Sequence, residues 1–235
     1  MAETGEGESR MRIQGALIAA LLLILCPLLC GAAPIPEPEA DQLVLVAVSD
    51  EGTARISLHE RDADGAWTTV FSAPARIGYG GLGKMREGDG RTPCGVFGFN
   101  AAFGTRPDPG CAIPYICVGE EHYWSCDQRD GYHYNELVSI LDLPGLDTTC
   151  SEHLCEIDPE YRYALSIDYN AAGEKGKGSA IFLHCQGERE ETRGCVAIPE
   201  EQMLTLLRRV RPDCRIVIGE RSALEETFTI PLQNF

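Results

Sequence analysis

Apolar and polar positions along the 235 residues change period several times, and short β-type runs outnumber helical ones. Leu43 to Val48 is a short, mostly apolar, β-rich run, and Ala54 to His59 alternates as a strand does. Asp62-Ala63-Asp64-Gly65 supplies a turn before Trp67 to Phe71, which predicts a hairpin. Gly78 to Gly90 is too glycine-rich for a regular element and reads as a surface loop. Gly95 to Phe99 resumes a strand, and Ala101 to Pro114 reads as loop. Residues 118–160 are polar and irregular, the pattern of a long insertion laid over a sheet.

Tyr163 to Tyr169, Ala180 to Cys185 and Cys195 to Ile198 read as core strands, and Arg215 to Ile218 as a closing one. Pro199 to Val210 is the one clear helix. Proline starts it, acids fill its first turn and arginines its last, and Met203, Leu204, Leu206 and Leu207 form the apolar stripe. Many strands and one helix predict a mainly β, mixed-sheet (β-rich α+β) domain over residues 42–235.

The N-terminus has a different pattern. Arg10 and Arg12 precede Ala16 to Leu29, an apolar run interrupted only by Pro27 and Cys26. A basic flank before a short apolar run is the signature of a secretory signal. The run is shorter than the about 20 residues a membrane span needs. Residues 1–33 are therefore expected to be a signal peptide or an uncleaved N-terminal anchor, with Met11 as an alternative start, because Glu3, Glu6 and Glu8 are foreign to such a leader. Cys30-Gly31 hints at lipidation, but Leu29 is a poor residue before a lipidated cysteine. Residues 34–41, rich in proline and glutamate, read as a linker.

A hydrophobic content of 44% and a charged content of 24% are ordinary for a globular chain, but the formal charge of −16 is not. Residues 1–40 hold two of the 20 basic and five of the 36 acidic residues, so the body keeps a balance of −13. Such a body repels a phosphate backbone, which argues against nucleic acid as a partner.

Candidate chemistry centres on Ser179-Ala180-Ile181-Phe182-Leu183-His184 and, after a mobile-looking connection, Thr192-Arg193-Gly194-Cys195-Val196-Ala197-Ile198. One strand ends in a histidine and a second opens with a cysteine, so neighbouring strand ends bring an imidazole toward a thiol. Gly194 lets the backbone bend there and leaves N–H groups to point at a substrate. A histidine that takes the thiol proton makes the sulfur a nucleophile. A lone cysteine is more often buried or bridged, and His59, His122, His133 and His153 read as ordinary satisfied or surface histidines.

The chain resembles a known family at these residues. His184 and Thr192-Arg193-Gly194-Cys195 are similar to the active-site motif of L,D-transpeptidase catalytic domains of the YkuD type. Gly81-Leu82-Gly83-Lys84 through Thr92-Pro93-Cys94-Gly95-Val96-Phe97 resembles the family's glycine-rich segment. His122-Tyr123-Trp124, Tyr132-His133-Tyr134-Asn135, Ile167-Asp168-Tyr169-Asn170 and Lys177 to His184 follow in matching order. The resemblance covers about residues 42–220 and implies a β-sandwich-like mixed sheet with few helices.

It also implies Cys195 as nucleophile, His184 as base and then acid, and a carbonyl just beyond the histidine, that of Cys185, orienting the ring. Oxyanion donors are expected around Gly194 and Cys195, and Thr192 and Arg193 are expected to contact substrate. The implied substrate is a peptidoglycan tetrapeptide stem, cleaved beside a diamino acid through a thioester that an amine, or water, resolves. No cofactor or metal is implied. Many members carry an arginine where this chain has Ala197; Arg193 either supplies that cation or is an exposed loop residue. A wall-binding module with an idle His–Cys pair is the alternative from another class.

Setting aside Cys195 and the two in the apolar segment, eight of the 11 cysteines remain, and in an exported chain these invite disulfides. Cys111 with Cys117 and Cys150 with Cys155 close small loops and are the expected pairs. Cys150, His153 and Cys155 lack distant partners at zinc-finger spacing, so structural zinc is not expected.

Overall fold

A computed structural model describes residues 35–230; the segment expected to be a signal peptide or anchor lies outside the described residues. In chain order the strands are β1 (Gln42–Val48), β2 (Ala54–Arg61), β3 (Trp67–Ala75), β4 (Gly95–Phe97), β5 (Phe99–Gly104), β6 (Tyr115–Cys117) and β7 (His122–Trp124). They continue with β8 (Leu137–Ser139), β9 (Glu152–His153), β10 (Ala164–Ile167), β11 (Phe182–Cys185), β12 (Val196–Ile198) and β13 (Arg215–Glu220). The helices are α1 (Glu200–Leu207) and α2 (Arg221–Thr227).

Two five-stranded mixed sheets, ordered β3-β2-β1-β13-β4 and β12-β11-β10-β5-β6, carry the domain, beside a small sheet ordered β8-β7-β9. β1 shows why the first sheet is central. Every one of its residues is buried, because both faces are covered. Val44 and Val46 join Ile56, Leu58, Ile216 and Ile218 against Leu165, Leu183, Val196 and Ile198 of the second sheet. Leu43 and Leu45 point the other way, into Val217, Leu224 and Phe228. Each such leucine contributes about 1.5–3 kcal/mol by leaving water.

His59 lies in β2 as a satisfied core histidine. Its Nε2 meets Ser57 Oγ at 2.7 Å and its Nδ1 meets Thr69 Oγ1 at 3.1 Å. Burial lowers its pKa to about 4.

α1 is shorter than the apolar period predicts. Pro199 is its N-cap and the helix stops at Leu207, with Arg208 as C-cap, so the arginines follow the helix rather than filling its last turn. Met203, Leu206 and Leu207 are buried, while Leu204 is only half-buried. α2 was not evident in the sequence, because its short, strongly charged stretch shows little periodicity. Ala101 to Gly104, expected as loop, completes β5: its antiparallel partner β10 sets the register Ala164 to Phe103 and Leu165 to Ala102.

Residues 118–160 are mostly turn and loop, as their polarity predicts, but they enclose the three-stranded sheet. Polar fastenings hold it. Arg129 grips Asp127 with Nε–H at 2.9 and 3.1 Å, and the Asp147 N–H donates to the same carboxylate at 3.0 Å. Cys126 and Cys150 form a disulfide, 24 residues apart. This corrects the expected pairs. Cys111 and Cys117 are both free thiols, and so is Cys155, whose sulfur lies 3.2 Å from His153 Nε2. Proximity in sequence was a poor guide because β7 and β9 pair across the insertion, and the Cys126 N–H donates to Ser151 Oγ next to Cys150.

Among the described residues, no helix is long and apolar enough to cross a membrane.

Candidate active site

β11 lies between β10 and β12, and pairs with β12 in parallel, Leu183 opposite Val196 and His184 opposite Ala197. Side chains alternate along a strand. Leu183 therefore enters the core between the two large sheets, while Phe182 and His184 share the opposite face. Cys195, one residue before β12, joins Phe182, Phe103, Trp124 and Tyr161 in the cluster on that opposite face. The fold thus brings His184 and Cys195 to one face of one sheet, on adjacent strands.

The connection from Gln186 to Gly194 is not loose, contrary to its polar composition. Arg76 Nη1 donates to the carbonyls of Gly187 at 2.7 Å and Arg189 at 2.6 Å. The Thr192 N–H donates to the Ile77 carbonyl and the Tyr79 N–H to the Thr192 carbonyl. A strap from the first sheet therefore fixes the turn before the cysteine.

Gly194 has a φ of +139°, and a Cβ there would lie 2.8 Å from the Arg91 carbonyl oxygen. A Cβ at Gly78 would lie 3.0 Å from the Gly194 backbone and 2.2 Å from the Gly90 carbonyl. Glycine is required at both places by close backbone approach. The Gly194 N–H is turned back onto Thr192 Oγ1 at 3.1 Å, and the Thr192 hydroxyl donates to the Cys195 carbonyl at 2.6 Å. Thr192 thus shapes the turn, and the Gly194 amide, expected to face a substrate oxyanion, is already engaged.

His184 Nδ1 lies 2.7 Å from the Cys185 carbonyl, as the resemblance implies. That carbonyl can only accept, so Nδ1 carries a proton and the neutral ring presents its lone pair on Nε2. Burial holds the ring's pKa below the ordinary value, against smaller opposing effects of the carbonyl and Glu160. Tyr161 packs edge-on against the ring, centroids 5.5 Å apart.

The Cys195 thiol is buried and donates to the Ala180 carbonyl at 3.2 Å, while its sulfur accepts the Phe182 N–H at 3.3 Å. Burial pushes its pKa up to about 12, aided by the charge of Glu152 and opposed by the Phe182 amide and the Lys84 ammonium. The resting pair is therefore a neutral thiol and a neutral imidazole. An ionised thiolate beside the ring, expected from the sequence, is disfavoured by the same burial that shifts both groups. A surface pocket of about 600 Å³, lined by Tyr79 and Arg189 to Arg193, flanks the turn without reaching the thiol.

Three supporting groups come from segments that carry the family resemblance, yet no role could be assigned to them from sequence. Asn135 Oδ1 accepts the Trp124 indole N–H at 2.9 Å and the Ala180 N–H at 3.0 Å, while its amide donates to the carbonyls of Tyr169 and Asn170. It thereby fixes Ala180, at φ +54°, whose carbonyl holds the thiol. Glu87 accepts hydroxyl hydrogens from Tyr134 at 2.6 Å and Ser179 at 2.7 Å. Lys84, buried, pairs with Asp89 at 3.1 Å, and a Cβ on Gly178 would lie 2.3 Å from its Cε.

Two more groups, Glu152 and Tyr161, come from the insertion and its exit. Their spacing from Cys195 in sequence gave no signal. Arg193 is exposed and within electrostatic reach of Glu152, and no ion pair involves it among the described residues. The Glu152 charge raises the thiol's pKa and the Lys84 ammonium lowers it. Among the described residues, no cluster of three or more histidine, cysteine or carboxylate groups is placed to hold a metal ion.

A two-sheet, β-rich domain that presents a thiol and a carbonyl-anchored imidazole on one face has the equipment of a cysteine acyl-transfer centre. The family model described as the L,D-transpeptidase catalytic domain (YkuD) matches residues 51–218, and the chain belongs to that family. Among solved structures it is similar to an L,D-transpeptidase from Mycobacterium smegmatis, at 15% identity and a TM-score of 0.34, covering 77% of this chain and 59% of that one. No curated protein matches.

Proposed function

We propose that the protein is an exported cysteine acyltransferase that carries out L,D-transpeptidation on peptidoglycan stem peptides. Family membership supports the substrate class, and the basic flank before the apolar run Ala16 to Leu29 supports export. The observation that carries the chemistry is the His184 ring, anchored at Nδ1 by the Cys185 carbonyl, with no hydrogen-bond partner on Nε2 among the described residues, on the face shared with Cys195.

In this reading Cys195 is the nucleophile and His184 the general base, then acid. Substrate entry draws the thiol from the Ala180 carbonyl to Nε2. The proton passes to Nε2 as the sulfur–carbon bond forms, and the Cys195 N–H stabilises the oxyanion. The imidazolium then protonates the departing amine as the carbon–nitrogen bond breaks, leaving a thioester on Cys195. An acceptor amine gives its proton to Nε2, attacks the thioester, and the sulfur recovers the proton. Water in place of the amine makes the same site a carboxypeptidase or endopeptidase.

The resting thiol, buried and held by Ala180, is the one observation that favours a non-catalytic module. Purified protein incubated with tetrapeptide-bearing muropeptides tests the reading. New cross-links between two diamino acids support transpeptidation, stems that are only shortened indicate hydrolysis, and unchanged muropeptides contradict both.

A further inference from the structure

Among the described residues a single aromatic side chain is exposed, that of Tyr79, at 59%. It stands in the strap that fixes the turn before Cys195, and its backbone is tied on both sides. The Tyr79 N–H donates to the Thr192 carbonyl at 3.0 Å, and the N–H of the next residue, Gly80, donates to the Gly90 carbonyl at 2.8 Å. The ring is seated too. A Cβ added at Gly90 would lie 2.2 Å from Tyr79 Cζ and 2.5 Å from each Cε. Near-equal distances to three ring atoms put that point above the ring plane rather than beyond its edge. One face of the ring therefore rests on Gly90, which must be glycine to receive it, and the other face is left to water.

Two surface depressions meet at this ring. One, of about 600 Å³, is lined by Arg189 to Arg193, and the other, of about 480 Å³, has Thr53, Pro74 and Ala75 in its wall. Tyr79, Glu190 and Glu191 line both, so the pair forms one groove with an aromatic ridge. Arg76 holds the Gly187 and Arg189 carbonyls, so the wall is formed before any ligand arrives. Arg189, Glu190, Glu191 and Arg193 are all exposed, and among the described residues none is held in an ion pair or a side-chain hydrogen bond. The groove thus offers two guanidinium donors and two carboxylate acceptors around one flat apolar face.

Those features narrow the occupant. The electron-rich face of an aromatic ring attracts positively polarised C–H groups. An anionic polymer is repelled by the acidic body, and a simple cation has no use for the arginines. A neutral ring with C–H bonds on one face and hydroxyls at its rim uses every part, giving hydrogens to the glutamates and accepting them from the arginines. The reacting peptide is a poor candidate, because the groove does not reach the thiol.

We propose that the groove on either side of Tyr79 binds a neutral carbohydrate chain, with one pyranose ring stacked on the exposed tyrosine face and its hydroxyls held by Arg189, Glu190, Glu191 and Arg193. The inference goes beyond the acyl-transfer reading and stands without it. Thr192 lines the groove and its hydroxyl donates to the Cys195 carbonyl, so a chain held there lies beside the site rather than in it.

Saturation-transfer difference NMR on the full chain, titrated separately with cellotetraose and with tetra-N-acetylchitotetraose, tests this. Wild type is expected to transfer saturation to the C–H protons of one pyranose face. Tyr79→Ala is expected to weaken binding about tenfold, and Tyr79→Leu, which keeps apolar bulk without a flat face, nearly as much. Tyr79→Phe is expected to stay within about twofold, since the hydroxyl has no hydrogen-bond partner among the described residues. Joint replacement of Glu190 and Glu191 by glutamine is expected to weaken binding about threefold or more, and Leu141→Ala, an exposed apolar position outside the groove, to change nothing. Tighter binding of the acetylated tetramer assigns the site to N-acetylated sugars, and equal or tighter binding of cellotetraose assigns it to plain polysaccharide. Failure of both tetramers to bind wild type, or binding that survives Tyr79→Ala or Tyr79→Leu unchanged, overturns the proposal. Covalent labelling of Cys195 is scored apart from sugar binding, so loss of either reading leaves the other standing.

Discussion

Two buried histidines, one in each large sheet, show how the same side chain serves packing in one place and chemistry in another. His59 in β2 has both ring nitrogens engaged, by Ser57 and Thr69. His184 in β11 has one nitrogen engaged, by the Cys185 carbonyl, and the other without a hydrogen-bond partner among the described residues, on the face of Cys195. Burial lowers both pKa values, so burial alone does not separate the two roles. What separates them is satisfied valence. A ring bonded at both ends is finished, while a ring bonded at one end is a base held in a defined tautomer.

The largest expected difference lies in activity. His184→Ala removes the base and is expected to lower the rate of stem-peptide turnover by about 10³-fold while the protein stays folded, measured by steady-state kinetics alongside circular dichroism. His59→Ala is expected to do the reverse. Stability falls by about 2–4 kcal/mol in urea denaturation, and activity per folded molecule is retained. A His59 variant that folds normally but has lost turnover would erase the distinction.

The pH dependence of stability sharpens it next. His59 titrates near 6.5 unfolded and near 4 folded, so below 6.5 the unfolded chain binds the proton that the folded chain refuses. Stability is therefore full above pH 6.5, declines as pH falls through the window, and levels off below about 4, a loss on the order of 3 kcal/mol. His184 contributes with the same sign, since its pKa is also lowered. Urea midpoints measured from pH 7.5 to 4 in wild type and His59→Gln should differ in slope across that interval. Equal slopes would show that His59 is not the group responsible.

The disulfide offers a control outside both sheets. Replacing Cys126 and Cys150 by alanine is expected to cost about 3 kcal/mol, and to loosen the insertion that carries Glu152 and Trp124 before it affects β1 or β13. Hydrogen exchange reads the order directly. The smallest effect is at the strap. Arg76→Ala breaks two hydrogen bonds to carbonyls of the connection, with an expected cost of about 1–2 kcal/mol and faster exchange confined to residues 186–193.

Much of this was legible in the sequence where periodicity and local chemistry act over short distances. Leu43 to Val48, Ala54 to His59 and the helix after Pro199 declare themselves by spacing, and His184 with Gly194-Cys195 by motif. The glycine at position 194 follows from the same local reasoning, whereas the Cys185 carbonyl was implied only by the family resemblance. What stayed hidden depends on contacts between distant segments. Ala180, whose carbonyl holds the thiol, is itself held through its N–H by Asn135, and the carboxylate whose charge bears on the thiol arrives from β9 through a sheet whose strands are two or three residues long. Strands that short carry almost no period. The protonation state was missed for a related reason: it is set by burial, a property of the assembled cluster rather than of the motif.

Intact-mass measurement after exposure to a carbapenem, a β-lactam that acylates thiolates of this kind, is the most direct test of the central claim. Wild type is expected to gain one covalent adduct mapped to the Cys195 peptide, His184→Ala to gain it far more slowly, and Cys195→Ala to stay unmodified. Wild type that remains unmodified, or an adduct carried by any other cysteine, would contradict the assignment of Cys195 and His184 as the working pair.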